Sequence, residues 1–471
     1  MKQRTEKILE YFFKICKIPR PSGHEKQIQI YLREWAESRK YKVKNDITGN
    51  LIITCPARQG FEKKPCVILQ AHMDMVCIAD YEGYIPAKDE IIPVFDGDYL
   101  RAKGTSLGAD DGIGIALAQY LADEVQKRGE LKLIFTVDEE ETTVGACELD
   151  STELNSKYLI NLDSEICDKV IVSSAGCIEL EGKFTDKPHP AQEDTGVIIT
   201  IRGLRGGHSG DDIAKERINA NILLADIVNR LHDMNISMEF AAVQGGTASN
   251  AIPPKCVIKT NVSQWDLLCS ALQKIESEYK STVQEEQNLE IKAIKTKPFE
   301  DVFSLECLWT FLHTCPNGAI KMSDKIEDFV ELSSNIGVLH FEDGSGSFKI
   351  LIRAEKESEL ILLARHMEEL AHENGIQIEQ SEITPSWPAD LHSTLLKKAQ
   401  QAYKMVTGSD LEPIAIHAVL ECAEFYKKNE KLQMISISPE VLDVHSAQEK
   451  LYIPSVERCS EVLENLLNIL S

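Results

Sequence analysis

Short apolar runs alternate with helical patterns along the first third of the chain. The runs have the length and the Val, Ile and Leu content of buried strands, and they cover residues 50–55, 65–72, 132–137 and 157–162. Residues 112–125, between the second and third runs, are rich in Ala and Leu, as helices are. Strands that alternate with helices are typical of an α/β sheet that is at least partly parallel, so this part of the chain predicts such a sheet.

Helical patterns also open and close the chain. Residues 1–17 form a short, charged amphipathic pattern, and residues 455–470 form another at the end. Ser22 and Glu25 have the spacing of a capping box, in which each side chain bonds a free N–H at a helix start. This spacing predicts a helix over residues 26–38 that Ser22 and Glu25 cap.

Two polar, Pro-bearing stretches, 183–196 and 379–393, interrupt the alternation. The segment between them, roughly 190 residues, is long enough to form a domain of its own. It contains longer alternating strands, such as 196–203 and 347–354, together with helical patterns. After the insert, the chain returns to the kind of pattern with which it began.

The sequence therefore predicts two domains. The first is a discontinuous α/β domain over residues 1–185 and 386–471, with a mixed, largely parallel sheet and helices on both faces. The second is an inserted α+β domain over residues 186–385.

The composition of the chain disfavours some classes of binding partner. Of 471 residues, 51 are Lys or Arg and 75 are Asp or Glu, which gives a formal net charge of −24. Such a chain lacks the basic surface that nucleic acids and anionic membranes attract. The 13 cysteines include no C-x-x-C pair, which disfavours common zinc and redox motifs. No secretion signal and no membrane-spanning apolar run are apparent, so we expect free thiols and a cytoplasmic location.

Side chains that can bind metal follow several of the predicted strands. They come directly after an apolar run or, for the last, a short loop later: His72, Asp74, Asp138–Glu141, Asp163, Glu165 and His445. Asp110 and Asp111 lie between two glycines, just before the Ala-rich helix. Because ligands of open α/β sheets bind outside the carboxyl ends of the strands, we expect these groups to converge on one site.

Such a convergence of carboxylates is unfavourable without a cation. Like charges a few ångströms apart repel, and some of the groups would have to take up protons. A divalent cation removes that cost, and two His with three or more carboxylates suit Zn²⁺, Mn²⁺ or Co²⁺. The set is too large for one four-coordinate zinc ion with an open position. It fits two ions about 3.5–4 Å apart.

Each motif also has an ordinary explanation. A single His after a strand, such as His72, is more often a hydrogen-bonded structural residue. The run Asp138–Glu141 could be a solvated turn, and Asp110–Asp111 could cap a helix. The joint pattern favours the metal site, because every ordinary explanation would have to hold independently at one sheet edge. The histidines without such a setting stay unassigned: His189, His232, His313, His340, His366, His372 and His392.

Several strings of residues resemble those of the M20 metallopeptidases, and most closely their Xaa-His (aminoacyl-histidine) dipeptidase branch. They are AHMDMV, GTSLGADDGIGIA, FTVDEEE, NLDSE, GLRGGHSGDDI, GGTASNAIPPK, IHAVLEC and HSAQEK. They occur in the family's order, from IPRPSG near the N-terminus to the last helix, so the resemblance covers the whole chain. It implies a catalytic domain with an inserted lid domain, two divalent metal ions, and substrates such as β-alanyl-histidine.

The resemblance also implies which residues bind the two ions. In that assignment Asp110 bridges them. The residues that would each bind one ion are His72, Asp163, Glu140 and His445.

Two further carboxylates would act beside the metals. Glu139 matches the family's general base, and Asp74 matches the acid that orients His72. A metal-binding His commonly donates its other N–H to a carboxylate, which fixes the orientation of its ring. Adjacent residues leaving a strand diverge, so Glu140 can bind a metal while Glu139 faces the water.

The insert resembles the family's lid domain, which binds substrate. His208 matches a residue that stabilises the oxyanion, and Asn250 and Arg353 match positions that hold the substrate's C-terminal carboxylate. Glu421 matches a position near the metals that could contact the substrate amine. From the residues alone, His208 could equally be a turn residue, and Arg353 reads better as a surface strand residue.

The chain departs from the family's pattern around these motifs. Glu141 and Thr142 stand where a small residue and Gly are usual, and Asp111 replaces Asn. Five usual glycine positions carry other residues: Ser173, Val419, Ala423, Ser438 and Asp443. Because glycine serves where φ is positive or backbones approach closely, these changes could alter substrate preference or turnover.

The sequence thus predicts a cytosolic dipeptidase with two metal ions that hydrolyses Xaa-His and related dipeptides, with Glu139 as the base. Zinc is the expected metal, and manganese and cobalt are alternatives. The expected partner is a small peptide, with no nucleic acid and no membrane, and the family allows a homodimer. Three alternatives stay open: another M20-type hydrolase (an aminoacylase, carboxypeptidase or tripeptidase), a metal- or peptide-binding relative that has lost turnover, and a purely structural protein.

Overall fold

The chain forms two compact units in a computed structural model that describes residues 2–324, 326 and 328–470. The first unit comprises Met1–Ser174, Trp387–Ala415 and Leu420–Ser471, and the second comprises Ala175–Ser386 and Ile416–Val419. The first division thus falls about ten residues before the predicted position, 185/186. The reason is that the strand Gly176–Thr185 pairs along its whole length with a strand of the second unit.

An eight-stranded sheet organises the first unit. In spatial order its strands are Lys42–Asn45, Leu51–Cys55, Leu131–Thr136, Val67–His72, Tyr158–Asn161, Gln433–Ser436, Lys169–Ser174 and Glu412–Ile416. The third to sixth strands of this order run parallel to one another, whereas the first two pairs at one edge are antiparallel. The four parallel strands therefore present their carboxyl ends at one edge of the sheet.

Helices and a second small sheet complete the first unit. The helices are Gln3–Cys16, Lys26–Ser38, Ala109–Glu124, Val144–Glu148, Thr394–Thr407, Cys422–Lys428 and Ile453–Ile469. The small sheet consists of Val441–Leu442, Lys450–Tyr452, Tyr99–Ala102 and Pro93–Asp96. One apolar core, built from residues of all three chain segments, joins these elements.

The second unit is built on a nine-stranded antiparallel sheet with its own apolar core. Its strands, in spatial order, are Glu290–Thr296, Thr195–Arg202, Cys256–Val262, Met238–Gly245, Val330–Glu342, Ser345–Ala354, Gly176–Thr185 and Gln377–Gln380, with Gly318–Met322 beside Val330–Glu342. Its helices are Ala220–Asp233, Trp265–Thr282, Glu306–Thr314 and Glu357–Glu373. Two short ladders add His189–Pro190 with Asp301–Val302 and Gly207–His208 with Ala251–Ile252.

The predicted fold class is confirmed, and most predicted strands and helices lie within a few residues of their expected positions. One local prediction is wrong. The helix Lys26–Ser38 does form, but neither Ser22 nor Glu25 caps it with its side chain. The Ser22 hydroxyl instead donates to Asp74 Oδ2, and Glu25 Oε1 accepts the N–H of Asp138, so both serve the candidate site.

Two absences hold for the described part of the chain. None of its helices combines the length and apolarity needed to cross a membrane. All 13 of its cysteines are free thiols.

Candidate metal centre

Most of the candidate residues lie at or just after the ends of neighbouring parallel strands. His72 is the last residue of its strand, and the strand beside it, Leu131–Thr136, leads into Glu139 and Glu140. Asp163 follows Tyr158–Asn161, the strand on the other side. Parallel pairing brings strand ends of the same polarity together, so the convergence expected from the sequence follows from the topology.

The side chains form two groups of three that share Asp110. In the first, His72 Nε2 lies 2.9 Å from Asp110 Oδ1 and 3.7 Å from Asp163 Oδ1. In the second, His445 Nε2 lies 3.1 Å from Asp110 Oδ2 and 2.9 Å from Glu140 Oε2. The candidate ligand atoms within each group lie within 4.8 Å of one another. Each oxygen of Asp110 therefore faces a different group.

Burial makes this cluster electrostatically costly. Burial and the nearby Asp110 raise the pKa of Asp163 to about 8. Burial also raises the pKa of Glu139 well above its usual range, and Asp163 adds to the effect. Hydrogen bonds to Asp110 and Glu140 raise the pKa of His445 to about 11. As the sequence argument expected, these carboxylates avoid mutual repulsion only by holding protons or a cation.

The donor set fits divalent cations. Imidazole nitrogens and carboxylate oxygens are ligands of zinc and of similar borderline ions. Glu140 Oε1 is buried without a hydrogen-bond partner, which leaves a ligand atom available. His72 Nε2 faces only carboxylates, so the ring presents this nitrogen to the place where a cation would neutralise them. The first group could hold one ion and the second another, with Asp110 reaching both.

Asp74 connects the residues predicted to be catalytic. Its Oδ1 lies 3.4 Å from His72 Nδ1 and accepts the backbone N–H of Glu139 at 3.1 Å. Its Oδ2 accepts the N–H of Glu140 at 3.1 Å and the Ser22 hydroxyl at 2.8 Å. Although burial opposes ionisation, the contacts with His72 and Ser22 hold the pKa of Asp74 far below its usual range. Asp74 is thus an anion that accepts two N–H groups at the start of the acid run and lies close to the His72 ring, whose Nδ1 has no hydrogen-bond partner.

Glu139 and Glu140 diverge after the strand. Glu140 Oε2 contacts His445, whereas Glu139 Oε2 lies 4.0 Å from His72 Nε2. Ligand atoms of His72, Glu139 and Glu140 also lie within 4.8 Å of one another. The Glu139 side chain retains 17% of its exposure, compared with 5% for Glu140. Glu139 is therefore near His72 of the first group and Glu140 of the second, and with them it forms a further set of possible ligand atoms.

Glu421 lies on the same side of the first unit and is almost fully buried. Its Oε2 accepts hydrogen bonds from Gln70 Nε2 at 2.6 Å and Thr136 Oγ1 at 3.0 Å, while Oε1 has no partner. Burial raises the pKa of Glu421 to about 7. A buried carboxylate with one unused oxygen is suited to accept a hydrogen bond from a ligand.

The predicted substrate residues of the insert lie in the second unit. His208 ends a two-residue strand that pairs with Ala251, and Asn250 O accepts the N–H of Ser209 at 2.8 Å, so the two loops are joined. The N–H groups of Gly210 and Asp211 point at His208 Nδ1, at 3.3 and 3.4 Å. Asp211 Oδ2 also lies 3.3 Å from this nitrogen, so backbone N–H groups and a carboxylate meet at the same side of the ring.

Arg353 is buried, with 5% of its surface exposed, and its Nε has no hydrogen-bond partner. Burial lowers the pKa of its guanidinium. It is therefore not the surface residue that its strand position alone would indicate. Among the described residues no carboxylate forms an ion pair with Arg353, although the charge of Asp211 acts on it. A buried cation of this kind is stabilised when a ligand supplies an anion.

His417 is a residue that the sequence analysis overlooked, although it lies in the IHAVLEC string. Its Nε2 is 2.6 Å from the Ser333 hydroxyl, and Ser333 is the register partner of Arg353 on the adjacent strand. Its Nδ1 is buried without a partner. Burial and the positive charge of Arg353 lower the pKa of His417 to about 3, so the ring is neutral.

Two of the unusual residues at glycine positions have a structural role. Ser438 Oγ accepts the N–H of Glu165 at 2.8 Å and thereby holds the turn after Asp163. Asp443 keeps the left-handed backbone that glycine favours, with φ +55°, and its carboxylate bonds Lys450 Nζ at 2.7 Å. Asp tolerates this conformation better than most residues other than glycine, so the loop that leads to His445 can adopt it without a glycine at this position.

Comparisons with known proteins agree with this geometry. A model of the Peptidase family M20/M25/M40 matches residues 68–469. The cytosol non-specific dipeptidase of Escherichia coli K12 is 33% identical to the chain, over 97% of this chain and 96% of that protein. Among solved structures, the aminoacylhistidine dipeptidase of Vibrio alginolyticus matches with a TM-score of 0.90 and 31% identity, covering 98% of this chain and 96% of its own.

A more distant structure shares only the fold. Human carnosine dipeptidase 1 covers 98% of this chain with a TM-score of 0.52, at 12% identity. The match to the family model spans most of the chain, and the Escherichia coli relative is similar over nearly its whole length. The predictions of an M20 resemblance and of a metallopeptidase are thereby confirmed, and this chain belongs to the Peptidase family M20/M25/M40.

Proposed function

We propose that this protein is a dipeptidase with two metal ions that hydrolyses Xaa-His and related dipeptides. The observation that carries the proposal is the pair of His–carboxylate groups that share Asp110. Shared carboxylates of this kind are typical of two-metal hydrolases. The names of the Escherichia coli and Vibrio alginolyticus relatives support a dipeptidase, and the second name supports histidine at the C-terminal position.

The residues of the first unit would perform the chemical steps. The chemistry that two bound cations would supply is polarisation of the scissile carbonyl and acidification of a water molecule. Glu139 would accept the proton of the attacking water and pass it to the nitrogen of the leaving amine. Asp74 would hold the His72 ring and the Glu139 backbone in place during this transfer. Glu421, with its unused oxygen, would accept a hydrogen bond from the substrate amine.

The residues of the second unit would recognise the substrate. Arg353 lacks an anionic partner and would pair with the C-terminal carboxylate, beside Asn250. His208 would stabilise the oxyanion that forms at the scissile carbonyl, as the family resemblance implies. Recognition of both a free carboxylate and a free amine would limit the substrates to very short peptides.

Zinc is the metal we propose, with manganese and cobalt as alternatives that the same ligands accept. We also propose a cytoplasmic location, which the name of the Escherichia coli relative supports. A homodimer remains a proposal from the family resemblance.

The test is hydrolysis of a peptide panel by the zinc- or manganese-loaded protein. The panel contains Xaa-His dipeptides, other dipeptides, tripeptides and N-acyl amino acids, and it compares wild type with Glu139→Gln. The variant keeps the size of the side chain but cannot accept the proton, so we expect kcat to fall by about 10²–10⁴-fold. Glu141→Gln, an exposed acid two residues later, is the matched control and should keep wild-type activity.

Each arm of the panel decides a separate point. Cleavage of Xaa-His peptides ahead of other dipeptides would support the proposed specificity, whereas uniform cleavage would indicate a broad dipeptidase. Preference for tripeptides or N-acyl amino acids would replace the proposal with another M20-type activity. Metal binding without any cleavage would indicate a relative that has lost turnover.

A further inference from the structure

Glu449 is buried, with 2% of its surface exposed, and its side-chain hydrogen bonds go to one distant loop. Its Oε2 accepts the backbone N–H groups of Leu107 at 2.7 Å and Gly108 at 3.0 Å. Its Oε1 accepts those of Ala109 at 2.7 Å and Asp110 at 3.3 Å. One carboxylate therefore holds four consecutive N–H groups, and the last belongs to the residue shared by the two metal-binding groups.

Arg20, also 2% exposed, holds the opposite side of the same loop. Its Nη2 donates to Gly108 O, and its Nη1 donates to Met73 O at 2.9 Å and to Asp74 O. The guanidinium thus ties the loop before Asp110 to the turn that follows His72. A Cβ at Gly108 would lie 2.7 Å from Arg20 Nη2, so glycine leaves room for this contact.

The two contacts match the polarity of the loop. Its N–H groups carry partial positive charge and meet a carboxylate, and its carbonyl meets a guanidinium. A helix start is ordinarily satisfied by the side chain of its own N-cap residue, but the N-cap here is Gly108, which has none. The acceptor comes from the C-terminal part of the chain and the donor from the N-terminal part. The loop is consequently held by side chains whose positions depend on the whole unit.

Glu449 also belongs to the turn that carries His445. Its own N–H donates to Ser446 O at 3.2 Å, which closes a short turn just after His445. Glu449 therefore joins the loop of Asp110 to the loop of His445, while Arg20 joins the loop of Asp110 to the turn after His72. Each connection spans one of the two groups that share Asp110.

We propose that Glu449 and Arg20 are positioning residues that set the spacing of the two metal-binding groups by holding the loop 107–110 from both sides. The proposal rests on the proposed function, since it presumes that these groups bind ions. Neither residue would contact an ion or the substrate. Both act through the backbone that places the two oxygens of Asp110.

The test compares zinc binding by wild type, Glu449→Gln and a matched control. Gln keeps the shape of the side chain, but its NH₂ group would face N–H donors, so two of the four contacts are lost. The control is Glu239→Gln in the second unit, another buried carboxylate, which accepts the N–H groups of Gln192 and Glu193 at 3.0 Å. Zinc stoichiometry and Kd are measured by competition with a chromophoric chelator, and metal-free unfolding is followed by circular dichroism.

We expect Glu449→Gln to keep a folded metal-free form and to bind at least one of the two ions about 10–100-fold more weakly than wild type. Glu239→Gln should bind zinc as wild type does, even if its unfolding midpoint falls as far as that of Glu449→Gln. Wild-type zinc binding by Glu449→Gln would overturn the proposal and leave Glu449 as a helix cap only.

Two further variants keep the test decisive if Glu449→Gln does not fold. Glu449→Asp retains the charge but withdraws the carboxylate by one methylene group, and Arg20→Lys retains a donor but cannot reach three carbonyls with one planar group. Weakened zinc binding by either folded variant supports the proposal, and unchanged binding by both overturns it. If wild type binds no zinc or manganese, the proposed function fails as well, whereas two bound ions in every variant would refute only the positioning role.

Discussion

Asp74 is not among the residues predicted to bind the metal ions, but its carboxylate contacts several residues of the candidate site. Its two oxygens accept the N–H groups of Glu139 and Glu140, lie near His72 Nδ1 and accept the Ser22 hydroxyl. A neutral side chain cannot provide the same charge to the His72 ring. We propose that the orientation of both the ring and the acid run depends on this carboxylate.

We therefore expect Asp74→Asn to lower zinc affinity or kcat/KM by about 10–100-fold, as loss of a carboxylate behind a metal-binding His does elsewhere. Zinc competition and dipeptide hydrolysis measure the two quantities. The control is Asp150→Asn, an exposed residue whose side chain also accepts a backbone N–H, from Thr152. If the two variants behave alike, Asp74 has no orienting role.

A second prediction at this scale concerns His417 and pH. The groups that face it are Arg353, Asp211, His208, the Ser333 hydroxyl and the Val330 backbone. In the folded chain the pKa of His417 is lowered to about 3, by burial first and by Arg353 second. The unfolded chain takes up a proton near pH 6.5 and the folded chain does not, so His417 costs stability as the pH falls from about 6.5 towards 3.

The free energy of unfolding of wild type relative to His417→Gln should therefore fall by about 2 kcal/mol between pH 7.5 and pH 5. Urea unfolding of the metal-free proteins at both pH values measures this difference. The same comparison with His366→Gln, an exposed histidine of the second unit, serves as the control. A pH-independent difference for His417→Gln would show that the ring is not held neutral.

At the scale of elements, the helix Ala109–Glu124 is unusual because every residue from Ala109 to Ala122 is buried. A helix that is apolar on all sides is surrounded by protein, whereas a surface helix shows one apolar face. Asp110 and Asp111 lie in its first turn, where the backbone departs from helical geometry. Because protein surrounds this helix, Asp110 near its start is buried as well.

Leu117→Ala in this helix should lower the free energy of unfolding by about 2–5 kcal/mol, since the leucine is fully buried and its removal leaves a cavity. Urea unfolding monitored by circular dichroism provides the measurement. Ile30→Ala, in the helix Lys26–Ser38 with 48% of its surface exposed, should change it by no more than about 0.5 kcal/mol. Equal effects of the two substitutions would contradict the assigned burial.

At the scale of the whole molecule, the chain is divided into two units that each have an apolar core. The candidate metal-binding residues all belong to the first unit, although they come from two of its three chain segments. Metal binding should therefore join distant parts of the sequence and stabilise the folded chain.

Adding zinc to the metal-free protein at one hundred times its Kd should raise the free energy of unfolding by about 2.7 kcal/mol per site and raise the Tm. Scanning calorimetry with and without zinc tests this expectation. Asp110→Asn removes the shared carboxylate and should show a much smaller rise in Tm. An equal rise in the variant would place the zinc elsewhere.

Features that depend on neighbouring residues could be predicted from the sequence, whereas features that depend on contacts between distant residues could not. Alternating apolar runs predicted the strands, because a buried strand requires apolar residues whatever lies beside it. The helix Lys26–Ser38 was also predicted correctly, but the roles of Ser22 and Glu25 were not. Their spacing fits a cap, and only the folded chain shows that Asp74 and Asp138 offer them better partners.

The sequence by itself determined the two sheets, the acid and imidazole groups at the strand ends and the family, because periodicity and motif strings are properties of neighbouring residues. The resemblance also implied that Asp110 is shared, and the structure places it beside both His72 and His445. The tertiary structure alone decided that Arg353 is buried with an unpaired Nε and that His417 lies beside it. It also decided the contacts of Arg20 and Glu449 with the loop before Asp110. The physical reason is that burial and hydrogen bonds between residues hundreds of positions apart depend on how the elements pack, which no local pattern contains.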